Sequence, residues 1–174
     1  MYKKERSDEM DYELMMNGNV KVGELAPDFT VKTTMGEIKL NSIKEKKLIL
    51  FSYPGDFNPV CTDEIIEFSK LNDEFMKRNT YLIGLSTDSI SSHIAWLNDI
   101  YNRTGIKVPF PIISDRNGEI ARKYGMISST ISNSETIRNV YIIDELGKIV
   151  AILSYPNQIK RNIYEILRII DNLN

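Results

Sequence analysis

Short, nearly continuous apolar runs alternate along the chain with longer segments of helical period. Lys47–Tyr53 (KLILFSY) is one such run, bounded by lysines on one side and Pro54-Gly55 on the other. Its length and flanks predict a strand buried on both faces, as in a parallel sheet. Tyr81–Ser86 (YLIGLS) repeats the pattern. Between them Ile65, Phe68, Leu71 and Phe75 recur at helical spacing, with Glu64, Glu67, Lys70 and Glu74 outside, predicting one long helix. Thr87-Asp88-Ser89 offers an N-cap for a helix whose apolar positions are Ile90, Ile94, Leu97 and Tyr101. Pro109–Ser114 reads as a short extended piece, and Asn117–Tyr124 as a brief helix closed by Gly125. Asn139–Asp144 and Lys148–Ser154 are predicted strands joined at Glu145-Leu146-Gly147. Lys160–Leu173 is an amphipathic helix with Ile163, Ile166, Leu167 and Ile170 inward. A small hairpin, Phe29–Lys32 and Ile38–Leu40, precedes them all. Residues 1–20, with Met10, Met15 and Met16, lack a clean period and read as an arm. Residues 21–174 read as one domain. The element order predicts the α/β class, a central mixed β-sheet flanked by helices in a three-layer sandwich.

Composition narrows the functions open to this scaffold. Among 174 residues, Lys and Arg number 22 and Asp and Glu 24, for a net charge of −2. That balance gives no footprint for nucleic acid or an anionic membrane surface. No apolar run approaches the roughly 20 residues that span a bilayer. The single cysteine, Cys61, excludes an intrachain disulfide, a Cys-x-x-Cys pair and a multi-thiolate metal site. The single histidine, His93, excludes zinc sites needing two imidazoles. Neither a metal nor an organic cofactor is expected. A free thiol suits a reducing compartment, so the expected location is cytoplasmic.

Turn residues, a reactive atom and a helix start coincide at Tyr53-Pro54-Gly55-Asp56-Phe57-Asn58-Pro59-Val60-Cys61. Pro59 suits the first helical position, where its missing N–H is not needed. Cys61 then falls in the first turn, where free N–H groups and the positive end of the helix dipole favour an anion. A thiol so placed is expected to have a lowered pKa and to act as a nucleophile. On position alone, a small buried hydrophobe is an equal reading of a lone cysteine. His93 and Trp96, three apart on a helix, read as packing residues.

The segment resembles the active-site pattern Pro-x-x-x-Thr-x-x-Cys of the peroxiredoxin family, met here as Pro54, Asn58 and Cys61. The wider string around it resembles the one-cysteine branch. The resemblance extends from Gly23-Glu24-Leu25-Ala26-Pro27-Asp28-Phe29 through Ser86–Ser89, His93, Trp96, Thr136-Ile137-Arg138 and Tyr155-Pro156 to Arg161-Asn162 and Glu165–Arg168. It implies a thioredoxin-like fold and a Cys61 thiolate that attacks a hydroperoxide, leaving a sulfenic acid and water or an alcohol. It implies that Arg138 and the N–H groups of Val60 and Cys61 stabilise the displaced oxygen. Pro54 shields the pocket, Glu64 orients Arg138, and Arg161 is a second arginine. The family has Thr where this chain has Asn58; an amide is longer and planar. Tyr53 stands where one-cysteine members often have His.

With no second cysteine, the resemblance implies resolution by an external thiol: glutathione, thioredoxin, a glutaredoxin or another small thiol. A homodimer or higher homo-oligomer is expected, with edge strand Lys148–Ser154 available to pair with its copy. A redox sensor or chaperone-like homologue with weak peroxidase activity is the alternative, on account of Asn58. A thiol–disulfide oxidoreductase lacks its resolving thiol.

Overall fold

The apolar runs fold as strands of one seven-stranded sheet with helices packed on it. A computed structural model of the chain describes residues 20–173 apart from 44, 129, 130 and 133. The expected arm therefore lies outside the described residues except for Val20. In chain order the elements are β1 (Thr30–Thr33), β2 (Gly36–Lys39), a single 3₁₀ turn at Leu40–Ser42, β3 (Lys47–Ser52), α1 (Pro59–Lys70), α2 (Asn72–Lys77), β4 (Thr80–Ser86), α3 (Ile90–Thr104), β5 (Ile112–Ser114), α4 (Glu119–Tyr124), β6 (Arg138–Ile143), β7 (Ile149–Tyr155) and α5 (Ile163–Asp171). The strand order is β2-β1-β5-β4-β3-β6-β7. β3, β4 and β5 run parallel, while β6, β7 and the β1–β2 hairpin pair antiparallel.

The continuous apolar character of β3 follows from its two faces. Ile49 and Phe51 enter a core shared with α1, α2, α3 and α5, whereas Leu48 and Leu50 enter a second core with α4 and the 3₁₀ turn. A strand with helices over both faces has no polar face to show. Its carboxyl end, beside that of β4, releases the loop that carries the pattern around Cys61.

The structure departs from the sequence reading at three elements. The helix expected through Leu71 and Phe75 breaks at Leu71 and restarts as α2, whose first turn carries Asp73 and Glu74. The Pro109–Ser114 piece is extended as expected at Ile112–Ser114, where β5 joins the parallel part of the sheet. Helix α5 begins at Ile163, capped by Asn162, whose side chain accepts from the Glu165 N–H; just before it, Arg161 gives its N–H to Glu64. Helix α3 is rotated: His93, Trp96 and Ile100 are buried, while Ile94 and Tyr101 are 47% and 55% exposed.

Candidate active site

Pro59 opens α1 as expected, and Asn58 caps it. Cys61 lies in the first turn with 1% of its surface exposed. Its neighbours in the core include Tyr53, Ile65 and Trp96. Around it stands a polar cluster buried to the same degree.

Glu64, one helical turn on, is the centre of that cluster. Its Oε1 accepts from Nη1 of Arg138 and, at 3.0 Å, from Nη2 of Arg161. Its Oε2 accepts from the Arg161 backbone N–H at 2.8 Å and from Nε at 2.7 Å. Arg161 Nη1 also donates to the carbonyls of Ser52 and Asn139, and Arg138 Nε to that of Asn157. Burial pushes the Glu64 carboxyl up; the hydrogen bonds and charge of Arg161, joined by Arg138, outweigh it and hold the pKa below the ordinary value. Two guanidinium groups thus share one carboxylate, which leaves one buried positive charge without a counter-ion in this cluster. Arg138 Nη2 makes no hydrogen bond of normal geometry. The same guanidinium lies close enough to Cys61 for its charge and its N–H to favour a thiolate.

The thiol itself does not follow the expected lowering. Burial pushes the Cys61 pKa up, and the Gly55 N–H and Arg138 pull it down without overcoming the loss of water. At the helix mouth Asn58 Oδ1 accepts from the N–H groups of Val60 (2.9 Å) and Cys61 (3.2 Å). These are the two donors expected to face the displaced oxygen. Pro54 is buried and follows the fully buried Tyr53 in the chain.

Of the site residues read from the pattern, Cys61, Arg138, Glu64, Arg161, Asn58 and Val60 are joined by these contacts, while Pro54 is buried at the start of the loop. What the sequence reading missed is a second network behind the loop. Tyr53 OH donates to Asp56 Oδ1 at 2.7 Å, Ser92 Oγ donates to Asp56 Oδ2 at 2.8 Å, and His93 Nδ1 lies 2.7 Å from the same oxygen. Asp88 Oδ2 accepts from the Asp56 N–H and from Ser86 Oγ. Asp56, Asp88 and His93 bring three potential ligand atoms within 4.8 Å of one another. Donors of the protein occupy both oxygens of Asp56 and Oδ2 of Asp88, joining the three residues in a hydrogen-bond network. The string Ser86–His93 has the residue types for such a network, but only the fold brings it against Asp56. Surface hollows of about 390, 420 and 580 Å³ are lined by other residues, and none of these three reaches Cys61.

Comparison with known proteins adds a family to this geometry. The protein-family model described as AhpC/TSA family matches residues 22–152. The chain belongs to the AhpC/TSA family of peroxiredoxins. Peroxiredoxin 2 of Caldanaerobacter subterraneus subsp. tengcongensis is 50% identical over 153 residues, covering 88% of this chain and 69% of that protein. Peroxiredoxin 2 of Picrophilus torridus is 50% identical over 149 residues, 86% of this chain and 73% of its relative. Among solved structures, a cysteine-to-serine mutant of the peroxiredoxin 6 of Arenicola marina matches at TM-score 0.82 and 36% identity, over 89% of this chain and 74% of that one. The yeast mitochondrial 1-Cys peroxiredoxin, solved for its thiol resolving mechanism via glutathione/thioredoxin systems, matches at 0.81 and 39%, over 88% and 76%. The expected thioredoxin-like fold is the fold found, and the peroxiredoxins are thiol-dependent peroxidases. No described helix is long and apolar enough to cross a membrane.

Proposed function

We propose that Cys61 is the peroxidatic nucleophile of this peroxiredoxin, reducing hydrogen peroxide and organic hydroperoxides. The observation that carries the reading is the buried Arg138–Glu64–Arg161 cluster, one positive charge in excess, with an unengaged guanidinium nitrogen beside the one thiol of the chain. In the reaction the thiolate sulfur bonds to the terminal peroxide oxygen and the O–O bond breaks. The other oxygen takes a proton and leaves as water or alcohol, and Cys61 becomes a sulfenic acid. Arg138 serves twice: it favours the attacking anion, and its free N–H stabilises charge on the departing oxygen. Glu64 and Arg161 hold Arg138 in place, and Pro54 limits water at the sulfur.

An external thiol then condenses with the sulfenic acid, releasing water and forming a mixed disulfide that a second thiol reduces. Glutathione, thioredoxin and glutaredoxin-type proteins are the candidate reductants, a cycle like that named for the yeast 1-Cys relative. The setting that suits this cycle is a reducing cytoplasm. Strand β7, at the sheet edge, is the surface through which a homodimer would form.

Stopped-flow oxidation of the reduced protein by hydrogen peroxide tests the reading. Rapid loss of one thiol per chain is expected, absent in Cys61→Ser. Oxidation no faster than that of free cysteine refutes it. Asn58 supports a second reading, a redox sensor with weak turnover, because its amide occupies the Val60 and Cys61 N–H groups. Under that reading oxidation changes oligomer size, measured by sedimentation, while turnover with thiol reductants stays negligible.

A further inference from the structure

We propose that Asp56 and His93 are positioning residues for Cys61, through which α3 sets the donor that the active-site loop presents to the sulfur. The proposal rests on Cys61 being the reacting group. It starts from the Gly55 N–H, which favours the Cys61 anion and belongs to the Pro54–Gly55 peptide, one residue ahead of Asp56. Gly55 has no side chain to anchor the link to Asp56, and Phe57, at φ 62, sits in a region costly for a bulky residue. Besides Tyr53 at its start, the loop is held from α3 and its approach. The Asp56 carboxylate, 2% exposed, receives Tyr53, Ser92 and His93, and its N–H is held by Asp88 at 2.9 Å.

His93 is fixed in turn at both ring nitrogens. Nε2 lies 3.0 Å from the Ile113 carbonyl on β5 and Nδ1 lies against the Asp56 carboxylate, so acceptors stand on both sides of the ring. One turn on, Trp96 Nε1 donates at 3.1 Å to Thr62 Oγ1, whose hydroxyl donates to the Asn58 carbonyl. Helix α3 therefore grips the chain on both sides of Cys61, at Asp56 before it and at Thr62 after it. The charged and titratable groups facing His93 from neighbouring elements are Asp56 and Tyr53, with Asp88 behind Asp56; those facing the sulfur are Arg138 and Glu64. Loss of the His93 grip loosens Asp56, and with it the Gly55 donor.

The test compares His93→Ala and His93→Gln with the parent protein. Two readouts are used: peroxide oxidation of Cys61 by stopped flow, and alkylation of Cys61 by iodoacetamide across pH. In His93→Ala that still melts cooperatively, oxidation at neutral pH falls about tenfold, the value of one lost hydrogen bond to a charged group. The alkylation midpoint moves to higher pH. His93→Gln, which keeps an amide donor toward Asp56, restores part of both. Unchanged rate and midpoint in a folded His93→Ala overturn the proposal. Should that variant not fold, Ser92→Ala removes one donor to Asp56 and leaves the ring; a shift in the same direction of about two- to threefold supports the proposal, and no shift overturns it. Alkylation needs no peroxide, so a parent protein that alkylates normally but ignores peroxide sinks the peroxidase reading and leaves this one measurable.

Discussion

Arg138 answers to two neighbours at once, with Nη1 on Glu64 and its charge on the Cys61 sulfur. Arg138→Met keeps most of the stem and removes the cation. A cation favours the thiolate, so its loss moves the thiol titration upward and leaves less anion at neutral pH. Iodoacetamide alkylation across pH is expected to show the upward shift, and stopped flow a peroxide rate lower by about tenfold or more. Asn58 is the opposite case, a residue whose present contacts stand in the way. Asn58→Thr shortens the cap to a hydroxyl and withdraws the amide oxygen from the Val60 and Cys61 N–H groups. A faster oxidation of Cys61 is expected; an unchanged rate shows that the amide yields freely. Cys61 is legible in the sequence because a strand end, a proline at the first helical position and the thiol lie within a short stretch of chain, while Pro54 and Asn58 are read from the family pattern. Asn58's choice of hydrogen-bond partners is not, since it depends on where the side chain comes to rest.

Helices read from apolar spacing are correct as helices and less reliable in their facing. In α3 residue type selects Ile94 and Tyr101, whereas the fold buries His93 and Trp96 because each finds polar partners inside. Hydrophobicity alone takes no account of a satisfied polar group. In α5 the helix starts after the Asn162 cap, and Arg161 just before it lies against Glu64, a contact that apolar spacing does not register. Packing between strand and helix also sets a limit on β4. A Cβ at Gly84 would meet Phe51 Cζ at 3.1 Å, and that ring is wedged, stacked on Phe68 at 4.2 Å and edge-on to Phe110. Because the ring has little room to yield, Gly84→Ala is expected to destabilise by about 1–3 kcal/mol in denaturant unfolding.

Across the whole molecule, the Glu64 cluster ties α1, β6 and the approach to α5 with buried charges. Glu64 has a folded pKa below its ordinary 4.5, so its contribution is present above that value and is lost as pH falls through the folded pKa. An acid limb of destabilisation below about pH 4.5 is expected for the parent protein, measured by denaturant unfolding across pH. Glu64→Gln leaves two guanidinium groups without a carboxylate; it is expected to cost about 3–5 kcal/mol near neutral pH and to flatten that limb. The sequence by itself determined the α/β class, the strands and the place of Cys61 at a helix start, because periodicity, turn residues and helix-start chemistry act over a few neighbours. Contacts between Glu64 and residues 74 and 97 positions away, and between Asp56 and His93 across 37, exist only once the sheet is closed. Tertiary structure alone decided the thiol's environment, since burial, a guanidinium and a backbone N–H reach one sulfur from separate parts of the chain.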